Sequence, residues 1–204
     1  VEVCIMATPV MMRYGPPPCE LKERISSFYE LRLDVADYDE IERADRPQFR
    51  IMLSGQGHYE FATGTIDPAW PVTIVGPTSG RLRGVGKGPM HVVGAGLLPP
   101  AWAALMGADS ADWCDRAFDA TRVFGDSTLA LADAVRAVDT SEQRFELIGA
   151  FLAAATERCD AAPFWFTRIV DEWLAESPAP PVELLHERTG LGVRQVERLC
   201  KRYY

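Results

Sequence analysis

Pro99-Pro100 divides this chain of 204 residues into two regimes. Before it, short runs alternate apolar and polar residues between glycine and proline punctuation. After it, alanine-rich segments carry their apolar residues at helical spacing. The first regime has the period of strands and the second that of helices, so the order of elements is β then α.

Within the first regime, Tyr29, Leu31, Leu33 and Val35 share one face of a strand. Phe49, Ile51 and Leu53 share a face over Gln48–Ser54. Gly55-Gln56-Gly57 then predicts a turn, with His58–Thr63 as the return strand of a hairpin. Trp70–Val75 is a further apolar run. Arg81–Val85 and His91–Leu97 read as two strands separated by a Gly86-Lys87-Gly88-Pro89 turn. Strands this short and this regularly punctuated predict a small antiparallel, barrel-like or sandwich unit. Pro16-Pro17-Pro18 makes residues 1–18 an extended lead-in. Leu21–Ser27 reads as one or two helical turns, and Asp34–Arg46 as a polar, acidic connection.

In the second regime, Ala101–Met106 and Ser127–Val138 read as helices. Thr140 and Gln143 have the capping-box spacing. They open a helix with Phe145, Ile148, Phe151, Leu152 and Ala155 on its apolar face. Asp160–Pro163 is a break. Phe166, Ile169, Val170, Trp173 and Leu174 then form an amphipathic stripe, stopped by Ser177–Pro181. The expected class is α+β, with a body over residues 1–160 and an all-helical tail over 161–204.

Hydrophobic residues make up 48% and charged residues 25%, enough for a sizeable core. No apolar run reaches the roughly 20 residues a membrane-spanning helix needs. Val92–Met106 comes nearest and is cut by the two prolines. The first residues lack the basic start of a signal peptide. The chain does not begin with methionine, so a processed or partial product is expected. Cys4, Cys19, Cys114, Cys159 and Cys200 are odd in number and without CxxC spacing. Free thiols in a cytoplasmic protein are expected, and no membrane partner.

Residues for catalysis are sparse. No serine, histidine and carboxylate can be assembled into a triad, and no cofactor motif is present, so an enzyme is not expected. Gly84-x-Gly86-x-Gly88 opens into Pro89 and a strand rather than the helix a phosphate cradle needs. Asp109, Asp112, Asp115 and Asp119 read as a solvated acidic face. His58, Tyr59, Phe61 and Trp70 are candidates to line a small-molecule pocket in the mouth of the β unit. His58 and Glu60 share a strand face. With His91 they define the alternative, a cupin-like metal-dependent enzyme or small-molecule-binding domain with an incidental helical tail. Trp102, Trp113, Trp165 and Trp173 read as packing anchors, and Phe164-Trp165-Phe166 as an interdomain or dimer contact.

The tail is the most informative stretch. Pro181–Tyr204 reads as two short helices around Gly190-Leu191-Gly192. Val196, Leu199, Cys200 and Tyr203 line one side of the second helix. From His186 onward, Arg188, Arg194, Arg198, Lys201 and Arg202 outnumber Glu187 and Glu197, in a chain whose net charge is −8. Acidic body and basic terminal helix together point to a separate anion-binding element. A short helix, a tight turn and a basic amphipathic helix match what the major groove admits.

The stretch Val170–Tyr204 resembles the first helix-turn-helix of AraC/XylS-type transcriptional regulators. The resemblance lies in Trp173 and Leu174, the ELL-x-x-x-TGL segment and the RQVERL-x-KRYY helix. It implies sequence-specific DNA binding and transcription regulation. Arg194, Gln195 and Arg198 would face base edges, with Glu197 accepting from cytosine, and Lys201 and Arg202 would meet phosphates. It also implies a β-rich N-terminal half that binds a small-molecule effector or dimerises. In such regulators a second helix-turn-helix follows, so this chain would hold the first half only and the full-length protein would bind DNA. Gly192 stands where a capping serine is usual.

Overall fold

The computed structural model describes residues 10–107, 109–157, 164–178 and 180–204. The fold is α+β: an eight-stranded antiparallel sheet followed by seven helices. The strands are β1 (Val10–Gly15), β2 (Ile25–Leu33), β3 (Asp37–Glu42), β4 (Gln48–Phe61), β5 (Ile66–Pro68), β6 (Val72–Val75), β7 (Leu82–Leu97) and β8 (Ala117–Asp119). The sheet runs β1-β2-β7-β4-β6-β8, with β3 beside β7 and β5 beside β4. It is open, not closed into the expected barrel.

Two long strands replace the two expected hairpins. β4 pairs with β7 from Gln48↔Gly96 to Phe61↔Leu82. The other edge of β7 serves β2 and β3 in turn, and that of β4 serves β6 and β5. Gly55, with φ of +91°, lies within the second of two register shifts of β4. Its glycines therefore make bulges that bend the strand instead of reversing it. At Gly57 and Gly86 a Cβ would stand 2.4 Å from the Val85 carbonyl and 2.6 Å from the Gln56 carbonyl. Only glycine allows the two backbones to approach this closely. Two other regions also become strands. Val10–Gly15 of the expected lead-in pairs with β2, and β3 forms within the expected acidic connection. The expected helical turns at Leu21–Ser27 reduce to a 3₁₀ turn at Cys19–Leu21, and β2 already begins at Ile25.

The helices are α1 (Pro99–Met106), α2 (Thr121–Phe124), α3 (Ser127–Ala137), α4 (Ser141–Thr156), α5 (Phe164–Ala175), α6 (Val182–Thr189) and α7 (Val193–Tyr203). One sheet face carries Phe28, Phe49, Ile51, Val93, Ala95 and Leu97. It packs against Trp102 of α1, Leu131 and Val135 of α3, and Ile148 and Leu152 of α4. Phe28 stacks on Phe145 and Phe49 on Phe151, with centroids 5.5 and 5.8 Å apart. Each large side chain fully buried here stabilises the fold by about 1.5–3 kcal/mol. The capping box forms as its spacing predicts: the Thr140 hydroxyl accepts from the Gln143 amide at 3.2 Å.

A buried carboxylate sits on this helix-covered face. Glu30 is fully buried and accepts from Arg32 at 2.8 Å, His91 at 2.6 Å and Arg144 at 3.2 Å. Arg144 also donates to the carbonyls of Val135, Val138 and Asp139. The pair thereby ties β2 to the α3–α4 connection.

The tail has its own core of Phe166, Val170, Leu185, Val196 and Tyr203, joined by Trp173, Leu191, Leu199 and Cys200. Gly190, at φ of +65°, closes α6 in the left-handed conformation that glycine adopts without penalty. Trp173 donates to the Pro181 carbonyl and Arg188 pairs with Glu176, so α5 and α6 are linked twice. α7 packs on α1 and on the 3₁₀ turn Ser110–Trp113. The expected break at Asp160–Pro163 and the boundary near 160 lie outside the described residues. No described helix is long and apolar enough to cross a membrane.

Candidate ligand cavity and terminal helix

Among the described residues no helix covers the second face of the sheet. Alternation places Tyr29 and Leu31 of β2, Gln48, Arg50 and Met52 of β4, and Val92 of β7 on that face, opposite Phe28, Phe49 and Val93. The strand bend brings Tyr59, Gly84 and the ring of Tyr38 to the same side. Together with the connection Arg43–Arg46 they line a cavity of about 610 Å³.

A polar array forms the floor. Arg50 donates to Glu42 at 2.8 Å, to Gln48 at 2.9 Å and to the Tyr29 hydroxyl at 3.0 Å, and it lies over the Tyr59 ring at 5.4 Å. Tyr29 donates to Gln48 at 2.6 Å, and Gln48 donates to Asp45 at 2.8 Å. Burial pushes the Tyr29 hydroxyl far above its usual range, against the pull of Arg50, so it acts as a neutral donor. Burial works against the Arg50 charge, but the acidic groups around it, the Glu42 carboxylate at 2.8 Å among them, outweigh burial and hold the guanidinium protonated. Burial likewise pushes Tyr38 up to about 12. Bare backbone makes room for these rings. A Cβ on Gly94 would stand 2.7 Å from the Tyr29 hydroxyl, and one on Gly84 would stand 2.8 Å from the Tyr38 ring.

The four expected pocket residues separate. His58 and Tyr59 line the cavity. Phe61 and Trp70 do not. Phe61 lies two residues further along β4, where it and Trp70 pack with Val75, Leu82 and Ala117. Sequence reasoning missed Tyr29, Glu42, Gln48 and Arg50. The one available signal was the polar face of β4, Gln48 and Arg50 alternating with Phe49 and Ile51.

The metal alternative is not assembled. His58 stands opposite Val85 and meets Glu60 at 3.1 Å, and Glu60 is also held by Arg83 at 2.8 Å. His91 stands opposite Ser54 and is taken by Glu30. Among the described residues no three His, Cys, Asp or Glu side chains are grouped to hold an ion. The acidic run is solvated in part: Asp109 and Asp112 are exposed, and Asp119 is half-buried. Asp115 is buried and accepts from the Ser79 amide and hydroxyl at 2.8 and 2.6 Å. Asp119 accepts from the Thr121 amide, and Asp109 pairs with Arg202 at 3.3 Å.

On α7 the two faces separate cleanly. Val196 and Tyr203 are buried, while Arg194, Gln195, Glu197, Arg198, Lys201 and Arg202 are exposed. Two of the six expected DNA contacts have other work here. Gln195 turns back and accepts from the Gly192 amide at 3.3 Å, supplying the cap that Gly192 lacks. Arg202 is turned to the body by Asp109. Arg194, Arg198 and Lys201 have no ion-pair partner among the described residues. Of the expected contact segment Phe164-Trp165-Phe166, Phe166 is fully buried and Trp165 is 45% exposed.

No protein-family model matches the chain, and a comparison with curated proteins gives no match. Among solved structures, one described as the AraC-like transcriptional activator CuxR aligns with 94% of this chain and 79% of its own. The identity is 10% and the TM-score 0.41, a weak resemblance of overall fold.

Proposed function

We propose that this chain is the ligand-responsive part of a DNA-binding transcriptional regulator, with α6 and α7 as its helix-turn-helix and no catalytic role. The observation that supports this reading is the division of α7. Its apolar side seals onto α5 and α6, and its outward side offers Arg194, Arg198 and Lys201 in a chain otherwise rich in acid. A cationic helix held by its greasy side is what a major groove and its flanking phosphates accept. The cavity supports the ligand-responsive half of the reading. It is the size of a small-molecule site, mostly apolar, with a few fixed polar groups.

The test is binding of the protein to a pool of random duplexes, read by fluorescence anisotropy between 50 and 200 mM salt. Each phosphate contact contributes about −0.9 to the slope of log K against log salt. Loss of the phosphate contact of Lys201 should therefore make the slope shallower by about one in Lys201→Ala. Arg198→Ala should weaken binding to the enriched sequences by about tenfold, in line with loss of a base contact of about 1–3 kcal/mol. Affinity that ignores salt, or is unchanged in both variants, refutes the assignment.

A further inference from the structure

The cavity and α7 are joined by a continuous polar path. Gln48, in the cavity floor, donates to Asp45 at 2.8 Å, and Asp45 accepts from the Arg46 amide at 2.7 Å. The Arg46 side chain lines the cavity mouth, and its guanidinium reaches Asp171 of α5 at 3.7 Å. The same Asp171 oxygen lies 3.1 Å from the hydroxyl of Tyr204, which donates to the Thr167 carbonyl at 2.8 Å. Tyr204 follows directly on α7.

We propose that Arg46, Asp171 and Tyr204 form a latch through which an organic anion in the cavity loosens α7 from the body. The inference rests on the reading of the cavity as a ligand site and adds the ligand's charge and the route of its effect. The body of the cavity is aromatic and apolar, with Tyr29, Tyr38, Tyr59 and Met52 facing inward. Its inner cation, Arg50, is already neutralised by Glu42 at 2.8 Å. Two loosely paired cations, Arg43 and Arg46, line the cavity beside the Asp45 carboxylate. Arg43 has no ion-pair partner among the described residues, and Arg46 meets its carboxylate only at 3.7 Å, beyond hydrogen-bond distance. A flat ligand seated in the cavity with its anionic group at the mouth makes direct, charge-assisted hydrogen bonds to Arg46. The long, half-exposed contact to Asp171 is the weaker of the two.

Losing Arg46 leaves Asp171, whose side chain is 28% exposed, without its counter-charge. A partly buried carboxylate in that position turns toward water. That removes it from the Tyr204 hydroxyl. An 11-residue helix depends on such tertiary contacts for its stability. The effect is therefore local: α7 loosens while the sheet is unchanged.

The experiment is hydrogen–deuterium exchange on the whole chain, with 8-anilinonaphthalene-1-sulfonate as a probe anion of aromatic body and single negative charge. Arg46→Ala and Asp171→Asn should each raise exchange in α7 several-fold and leave β4 and β7 unchanged. The double variant should show no more than either single one. The probe should raise α7 exchange in the wild type and not in Asp171→Asn, and should bind Arg46→Ala about tenfold more weakly by fluorescence titration. The latch is overturned if α7 exchange is unchanged in Arg46→Ala, if the probe fails to bind, or if it binds Arg46→Ala as it binds the wild type. Should Arg46→Ala disturb the sheet, Asp171→Asn carries the exchange test alone. No DNA enters either measurement, so failure of the latch and failure of the DNA-binding reading are told apart.

Discussion

Glu30→Gln tests whether a buried charge on the helix-covered face stabilises the fold. Burial alone raises the Glu30 carboxyl. Hydrogen bonding from Ser141, Arg32 and His91 and the charge of Arg144 outweigh it and lower the carboxyl from 4.5 to about 2. A carboxylate held below its unfolded value stabilises the native state above the unfolded pKa, and that stability is lost as pH falls through the folded one. At about 1.4 kcal/mol per tenfold, its preference for the charged form contributes roughly 3 kcal/mol at pH 7. Between pH 4.5 and pH 2 this disappears, roughly 2 kcal/mol of it by pH 3. Gln keeps the shape and deletes the charge. Urea unfolding followed by tryptophan fluorescence, with Trp102 and Trp113 reporting from the core, gives both stabilities at each pH. The wild-type protein should exceed Glu30→Gln at pH 7, and the gap should shrink by about 2 kcal/mol at pH 3. The other carboxylates titrate in both proteins and cancel in the difference. A gap that stays constant from pH 7 to pH 3 refutes the reasoning and makes Glu30 a merely steric element.

Two further outcomes test the geometry. Gly94→Ala places a Cβ 2.5 Å from the Phe49 carbonyl and 2.7 Å from the Tyr29 hydroxyl. It should cost about 1–3 kcal/mol as overpacking, seen as a fall in Tm; an unchanged Tm would mean that the strands separate freely at this point. Thr140→Ala removes the α4 cap and should cost about 1 kcal/mol in urea unfolding without changing the m-value.

What the sequence made legible was local. Ser127–Ala137 and the helix opened by Thr140 follow from spacing and capping, because a helix makes its hydrogen bonds within itself. The paired short helices around Gly190 were legible for the same reason. The long strands were not. Glycines at 55, 57, 84 and 86 look like turns until the partner strand is known, and only pairing between Gln56 and Lys87 shows that both strands continue. β5 and β8, of three residues each, are too short to show any period. The cavity was legible at His58 and Tyr59 only. Its floor draws Tyr29, Glu42, Gln48 and Arg50 from three strands, and only Gln48 and Arg50 share a spacing to notice. Glu30 is the extreme case: its partners His91 and Arg144 lie 61 and 114 positions away, so nothing near it in the chain marks it as buried.

The two faces of the sheet set different requirements, and that difference bears on function. On the helix-covered face, apolar side chains fill the space and the buried Glu30 accepts from β2, β7 and α4. On the open face, Tyr29, Gln48, Arg50 and, from β3, Glu42 line the cavity. Replacing a buried polar array by apolar residues of similar size is commonly neutral or stabilising, so stability alone does not call for these residues. Gly84 and Gly94 point the same way, since both forgo side-chain packing so that tyrosine rings can lie against the backbone. A face that gives up packing to fix donors and acceptors around a cavity supports the proposed ligand site. In the proposed latch, Asp45, Arg46 and Asp171 stand between the cavity floor and Tyr204 at the end of the helix that carries the basic residues.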